Sequence, residues 1–319
     1  MGYDFYTELD NQRIKKDNVP NHFVRLKLLK LEKNRKVKEK YKNMIKFINL
    51  SEEYDLIKSL GISEIKRINA DLNHSYLFKI DFKLKKSYIS KDDEEFYIID
   101  NPICKDKVFK TPLVRPSSWK GALRYSAMRN VLGKEGLEKV NARIIMLRLF
   151  GNEKKKMTNF LDKEFGKLNS GYKKKVEGIY HDKNPNLRGR LVFYPTFFDE
   201  VNLDVITPHD RKTKTPSRGP IYFETVPLKK RGKNCIFNLL YFPFDLIGKK
   251  NTNNEINSDL TFLIDSISDM FIKHGFGAKT TSGYGIVKDE IKFKVNDNSE
   301  KEGTFEDFKE YIKNYTGAN

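Results

Sequence analysis

The stretch that most constrains the fold runs from Leu260 to Val295 and changes its period twice. Leu260, Leu263, Ile264, Ile267, Met270, Phe271 and His274 recur at three- and four-residue steps, the mark of an amphipathic helix. Gly275 then supplies a C-cap, and "GFGAKTTSGYG" (275–285) follows as a loop. Beyond it Ile291, Phe293 and Val295 alternate with lysines, as a strand with one buried face requires. The order is helix, glycine loop, strand.

That order argues against nucleotide hydrolysis. A Walker loop places G-x-x-x-x-G-K-[ST] after a strand and before a helix, so that amides and helix dipole meet the phosphates. Here Ala278 precedes Lys279, and the helix ends where the loop begins. A dinucleotide fingerprint fails as well, because Thr280 stands at the third glycine position after Gly275 and Gly277. The loop offers instead a backbone-rich nest, flexible at Gly275, Gly277, Gly283 and Gly285, with the Lys279 ammonium and the hydroxyls of Thr280, Thr281 and Ser282. A tight packing turn that needs positive φ at its glycines is the competing reading.

A second segment fits the phosphate reading. In "RPSSWKGALR" (115–124) Ser117 or Ser118 is expected to cap a helix running from Trp119 to about Leu132, before Gly133. Lys120 and Arg124 then share a face near the helix start, where cations oppose the dipole and repel each other. An anion between them would relieve both effects; an ordinary solvated face is the plain alternative. Ser117 to Lys120 also spells S-x-x-K, but the S-D-N and K-T-G partners of serine acylases are absent from the chain.

Elsewhere "LFKIDFKLK" (77–85) alternates Phe78, Ile80, Phe82 and Leu84 with charged residues, predicting a strand. "RGRLVFYPTFF" (188–198) and "NCIFNLLYFPFD" (234–245) read as second and third strands, and 248–259 as a polar connector. Residues 153–188 are lysine-rich and weakly patterned, so they read as a loop or insertion. "TPHDRKTKTPSRGP" (207–220) reads as an exposed basic loop. Residues 1–70 form a basic N-terminal extension with a helical stripe at Val37, Tyr41, Met44, Ile45 and Ile48 that is expected to pack on the rest. Residues 71–319 are taken as the main domain, with insertions near 153–188 and 204–220. Strands mixed with a few helices give an α+β class.

Basic side chains exceed acidic ones by 18 in 319 residues, which favours a polyanionic partner over a neutral one. No run reaches the length of a membrane span, and the acidic start "MGYDFYTELD" lacks an apolar signal core, so no membrane partner and a cytoplasmic setting are expected. Cys104 and Cys235 are solitary and expected to be reduced core thiols. Asp92 to Glu95 read as a solvated acidic loop and Asp100 as a turn aspartate.

Taken in order, "TPLVRPSSWKGALR", "LRLFGN", "RGRLVFYPTFF" and "GFGAKTTSGYG" resemble the RAMP superfamily of CRISPR effector proteins over roughly residues 76–295. Within that superfamily the chain looks like the backbone subunits of type III effector complexes. The resemblance implies a ferredoxin-like, RRM-like core with a basic N-terminal extension and basic insertions. It also implies guide RNA held by Ser117, Ser118, Lys120, Arg124 and the glycine loop, with target RNA and other CRISPR effector subunits as partners. Arg211, Lys212, Lys214 and Arg218 would lie along the guide–target duplex. Counting back from Lys120-Gly121 sets Asp100-Asn101-Pro102 on the Asp-x-Pro pattern of subunits that cleave target RNA, with Asp100 holding Mg²⁺ or another divalent cation or orienting the attacking 2′-hydroxyl. The sequence departs from that pattern in "SKDDEEFY" and in Arg115-Pro116. Two other readings stay open: a metal-independent guide-RNA processing endoribonuclease using His209 or Tyr222, and a non-catalytic basic scaffold.

Overall fold

The computed structural model describes residues 37–45, 48–62, 74–92, 99, 101–152, 155–182, 185–208, 210, 213, 215–216, 219–228 and 235–316. The elements begin with α1 (Val37–Ile45), α2 (Ser51–Ser59), β1 (Tyr76–Phe82), β2 (Leu113–Val114), α3 (Pro116–Leu132) and α4 (Gly136–Phe150). They continue through α5 (Lys155–Phe165), α6 (Leu168–Tyr180), β3 (Leu191–Phe193), β4 (Thr196–Phe197), β5 (Asn202–Ile206) and β6 (Ile221–Thr225). The chain ends with β7 (Cys235–Tyr241), α7 (Asn253–Asp269), β8 (Ile291–Val295), β9 (Lys301–Gly303) and α8 (Phe305–Thr316). Two compact units share them. One gathers residues 1–60, 89–113 and 198–227, and the other takes 61–88, 114–197 and 228–319.

The larger unit is built on a five-stranded sheet in the order β3-β7-β1-β8-β9. Every neighbouring pair is antiparallel. With α3 between β1 and β3, and α7 between β7 and β8, the first four of these strands form a βαββαβ, ferredoxin-like core in an α+β fold. The alternation read in "LFKIDFKLK" explains the burial: Phe78, Ile80 and Phe82 are fully enclosed. They sit opposite Leu239, Phe237 and Cys235 across β7. Phe82 meets Phe271 of the segment that ends α7, and Phe78 meets Phe308 of α8 edge-on. Cys235 is buried and forms no disulfide.

Several elements differ from their sequence readings. The helix α3 starts at Pro116 with Arg115 as N-cap, so Ser117 and Ser118 lie in its first turn and do not cap it. Proline at N1 has a preset φ and no amide to lose there, which moves the start forward. The stretch 153–188 is not a loop, since α5 and α6 occupy most of it. Their buried stripe of Leu161, Phe165, Tyr172 and Val176 is diluted by lysines. Arg143 of α4 anchors them, its guanidinium 4.7 Å from the Phe165 ring centroid and 4.1 Å from that of Tyr172, with Asp162 2.8 Å away. The strand read over 188–198 breaks at Tyr194-Pro195 into β3 and β4. The helix read from Leu260 begins at Asn253, closes with a π-turn over Met270–His274, and is followed by a further helix, α8.

The smaller unit holds α1, α2 and the β5–β6 hairpin. Tyr41, Ile45 and Ile48 are buried, as the stripe in this extension predicts. Glu224 on β6 is also buried; it pairs with the Lys105 ammonium, accepts the Tyr41 hydroxyl and takes the Ile103 amide at 2.9 Å. Leu50 donates its amide to the Asp199 carbonyl at 3.0 Å, tying the start of α2 to this frame. Cys104 is buried here and forms no disulfide. Described residues of the 207–220 stretch bridge β5 and β6 without helix or strand, and those at 213, 215 and 216 are exposed.

Candidate nucleic-acid interface

The site is organised by one tryptophan. Trp119 is fully buried, and its indole N–H donates to the Thr196 hydroxyl at 3.0 Å, which donates in turn to the Ile236 carbonyl at 2.6 Å. Its ring lies 4.4 Å from that of Phe276, 4.8 Å from Phe237 and 5.7 Å from Phe271. Phe276 is the second residue of the glycine loop. Two stretches some 150 positions apart in sequence therefore meet, with Lys120 one residue beyond the contact on one side and Gly277 one beyond it on the other. Truncating an enclosed tryptophan costs about 3–5 kcal/mol, so this contact helps hold the two stretches together.

On α3, Lys120 is half-buried. Burial and then the charge of Arg124 hold its ammonium below the ordinary lysine value. Arg124 donates to the Phe150 carbonyl at 2.7 Å, with its guanidinium 5.4 Å from the Phe150 ring centroid. The sequence-level reading of two cations that repel each other on one face thus has a physical counterpart. Ser117 and Ser118 are exposed in the first turn.

The glycine loop divides into a packed root and an exposed tip. At the root, Phe276 donates its amide to the Gly285 carbonyl at 3.2 Å, and Gly285 donates to Ser87 at 3.0 Å. Gly285 has φ +72°, and a Cβ there would lie 1.9 Å from the Phe276 carbonyl oxygen. A Cβ at Gly275, φ +70°, would lie 2.8 Å from the Tyr284 oxygen. These two glycines serve close backbone approach, as the packing-turn reading has it. The tip is different. Gly277, Lys279, Thr281 and Ser282 are exposed, and Lys279 itself adopts a left-handed φ of 56°. Ser282 donates its amide to Lys279 at 2.9 Å and Gly283 donates to Thr280 at 2.8 Å, around a short 3₁₀ turn. Those two amides are engaged within the loop, so the nest is smaller than the sequence suggests, and side chains provide more of the tip's chemistry.

One residue at this site escaped the sequence reading. Lys86, just past β1, donates to the Ser282 carbonyl and holds its ammonium 4.4 Å from the Tyr284 ring centroid. Its aliphatic Cδ would sit 3.5 Å from a Cβ at Gly283. The signal was the lysine run at 83, 85 and 86; the contact spans 196 positions and no local pattern reports it.

Other sequence candidates fall elsewhere. Asp100, His209, Arg211, Lys212, Lys214 and Arg218 lie outside the described residues. Tyr222 sits on β6 of the smaller unit with the Lys42 ammonium 3.5 Å from its ring centroid. Among the described residues no group of three His, Cys, Asp or Glu side chains is arranged to hold a metal ion, and no helix is long and apolar enough to cross a membrane.

A buried ion cluster lies in the larger unit, made from the arginines of "LRLFGN" and "RGR". Arg190 donates to Asp259 at 2.6 Å, to Asp245 at 2.8 Å and to Glu255 at 2.5 Å, while Arg148 donates to Asp259 at 2.6 Å and 2.9 Å. The Tyr241 hydroxyl adds a bond to Asp259 at 3.0 Å, and burial and that carboxylate push its ionisation far up. The two motifs interlock through Gly151 and Gly189, where added Cβ atoms would meet backbone at 2.6 Å and 2.5 Å.

Comparison with known proteins matches residues 88–288 to the family model described as the RAMP superfamily. Among solved structures, the chain is similar to one titled "Cryo-EM structure of the Type III-B Cmr-beta bound to cognate target RNA", at 15% identity and TM-score 0.42, covering 87% of this chain and 82% of that one. It is also similar to one titled "CRISPR RNA-guided surveillance complex", at 14% identity and TM-score 0.38, covering 68% of each chain. No curated protein sequence matches.

Proposed function

Because this chain belongs to the RAMP superfamily, we propose that it is an RNA-binding subunit of a type III CRISPR effector complex, gripping guide RNA by its backbone between the start of α3 and the glycine loop. The observation that carries the reading is the Trp119–Phe276 contact, which joins the two cation-bearing stretches at one place. Lys120, Arg124 and Lys279 supply charge, and the hydroxyls of Ser117, Ser118, Thr280, Thr281 and Ser282 supply donors. Such contacts position a strand without reading its bases, and pairing with the guide does the reading. The excess of 18 basic side chains supports association with RNA in general. Target RNA and neighbouring subunits complete the assembly, with Arg211, Lys212, Lys214 and Arg218 reaching the guide–target duplex.

The direct test is binding of labelled guide RNA to wild type and to Lys120→Ala/Lys279→Ala across a salt series. Each phosphate contact with a single strand contributes about 0.7 to the log–log salt slope, so the double variant should lose about 1.4 of it along with affinity. Equal affinity and equal slope would overturn the reading. Its finer part is cleavage of target RNA with Asp100 as a ligand for a divalent cation, which would supply Lewis-acid stabilisation of the departing oxygen. Cleavage should then vanish in EDTA and in Asp100→Ala while guide binding persists; cleavage that continues without metal would remove Asp100 from that role.

A further inference from the structure

We infer that the exposed face of α3 carries a seat for one nucleotide of single-stranded RNA, with the ribose–phosphate passing over the bare backbone of Gly121 and the base lying on the Tyr125 ring. The inference rests on the RNA-binding reading above and adds two residues to that surface.

Gly121 has no internal reason to be glycine. A helix-interior glycine is less stable than alanine by up to about 1 kcal/mol, and chains tolerate it for a positive φ or a close neighbour. Gly189 has a close neighbour, since its Cβ would lie 2.5 Å from the Leu149 oxygen. Gly121 is regular helix, exposed, with nothing within 4 Å of where its Cβ would be. Gly171 and Gly178 on α6 are as unhindered. The surroundings of Gly121 differ from theirs. It follows Lys120, is three residues before Arg124 and four before an exposed aromatic, on the helix that Trp119 joins to the glycine loop.

That aromatic is Tyr125, 48% exposed on a helix that buries Trp119, Leu123 and Val131. Its ring meets that of His274 edge-on at 5.4 Å, beside the residue where the glycine loop begins. Burial holds the His274 imidazole below its usual value; the Asp269 carboxylate opposes this, while Arg129, one turn on, and Lys273, paired with Asp269 at 2.7 Å, add to it. An apolar platform bordered by cations is the arrangement that single-strand binders use, because every base has a face to stack and every nucleotide a phosphate to neutralise. Positions four apart on a helix are adjacent, so backbone and base of one nucleotide can engage Gly121 and Tyr125 together.

The test uses the full chain with two labelled oligomers of equal length, one of uridines and one an abasic ribose–phosphate. Gly121→Ala should raise the melting temperature yet weaken binding of both oligomers about fivefold or more. Tyr125→Leu should weaken uridine binding roughly 5- to 100-fold and leave abasic binding unchanged, while Tyr125→Phe stays near wild type. Wild-type affinity in Gly121→Ala, a lowered melting temperature in that variant, or equal losses of both oligomers in Tyr125→Leu would each overturn the seat. Lys120→Ala/Lys279→Ala separates the levels. If that variant binds normally, the parent reading fails; if it loses binding while Gly121→Ala keeps it, the seat alone fails.

Discussion

The larger unit treats its cations in two opposite ways. Around Asp259, which is 0% exposed, Arg148 and Arg190 are cancelled by carboxylates at bonding distance, and Arg190 is held more strongly protonated than a free arginine. At the start of α3, Lys120 is partly withdrawn from water beside another cation, and its ammonium is disfavoured by the fold. One region uses opposite charge to fix the junction of "LRLFGN" with "RGR". The other accepts a small electrostatic cost that an anion from outside would remove. Motif arginines and lysines look alike in sequence, and what separates the two regions is whether carboxylates lie at bonding distance.

The sharpest way to break this comparison is Arg190→Met. Removing one partner from a buried ion network costs about 3–5 kcal/mol, since the carboxylates left behind are uncompensated. Denaturant titration should show that loss, with guide-RNA affinity kept under conditions where the variant is folded. A variant that keeps its stability and loses RNA affinity would place Arg190 in the binding surface and dissolve the contrast.

Gly285→Ala comes next and tests the division of the glycine loop. The left-handed backbone alone penalises a side chain by about 1–2 kcal/mol, and a Cβ 1.9 Å from a carbonyl oxygen adds a displacement of the root. The expected result is a loss of at least about 2 kcal/mol with weaker RNA binding, because the root positions Lys279. Lys279→Ala should lose binding at unchanged stability. If both variants behave alike, root and tip are not separate.

How much of this was legible in sequence follows from range. Phe78, Ile80 and Phe82, and the stripe ending at His274, declare themselves by period; β1 and β8 stand where that period puts them, while α7 holds the stripe but starts at Asn253, in the stretch read as a connector. The α5–α6 pair was hidden because lysines fill the gaps in its stripe and its anchor, Arg143, comes from another helix. The helix α8 carried a local signal that the reading passed over: Thr304 and Asp307 form a reciprocal cap, with the Thr304 amide 2.7 Å from the carboxylate and the Asp307 amide 3.2 Å from the hydroxyl. At the site, Lys120, Arg124 and the loop were named from spacing and charge. Lys86 and the Trp119 hub depend on contacts across most of the chain, which spacing cannot supply.

The smallest expected effect, Lys120→Met, probes the comparison from its other side. In the folded chain Lys120 gives up its proton more readily than in the unfolded one. The unfolded state therefore binds more protons across the alkaline window below lysine's ordinary value, and wild-type stability rises with pH through that window. Lys120→Met has no such term. It should be slightly more stable than wild type at neutral pH, by no more than about 0.5 kcal/mol once solvent screening is allowed for, and the advantage should shrink as pH rises or salt is added. Paired melting curves at neutral and alkaline pH read the difference directly. A variant less stable than wild type at neutral pH, or a gap that widens with pH, would mean that the fold itself gains from this charge, and Lys120 would then belong with Arg148 and Arg190.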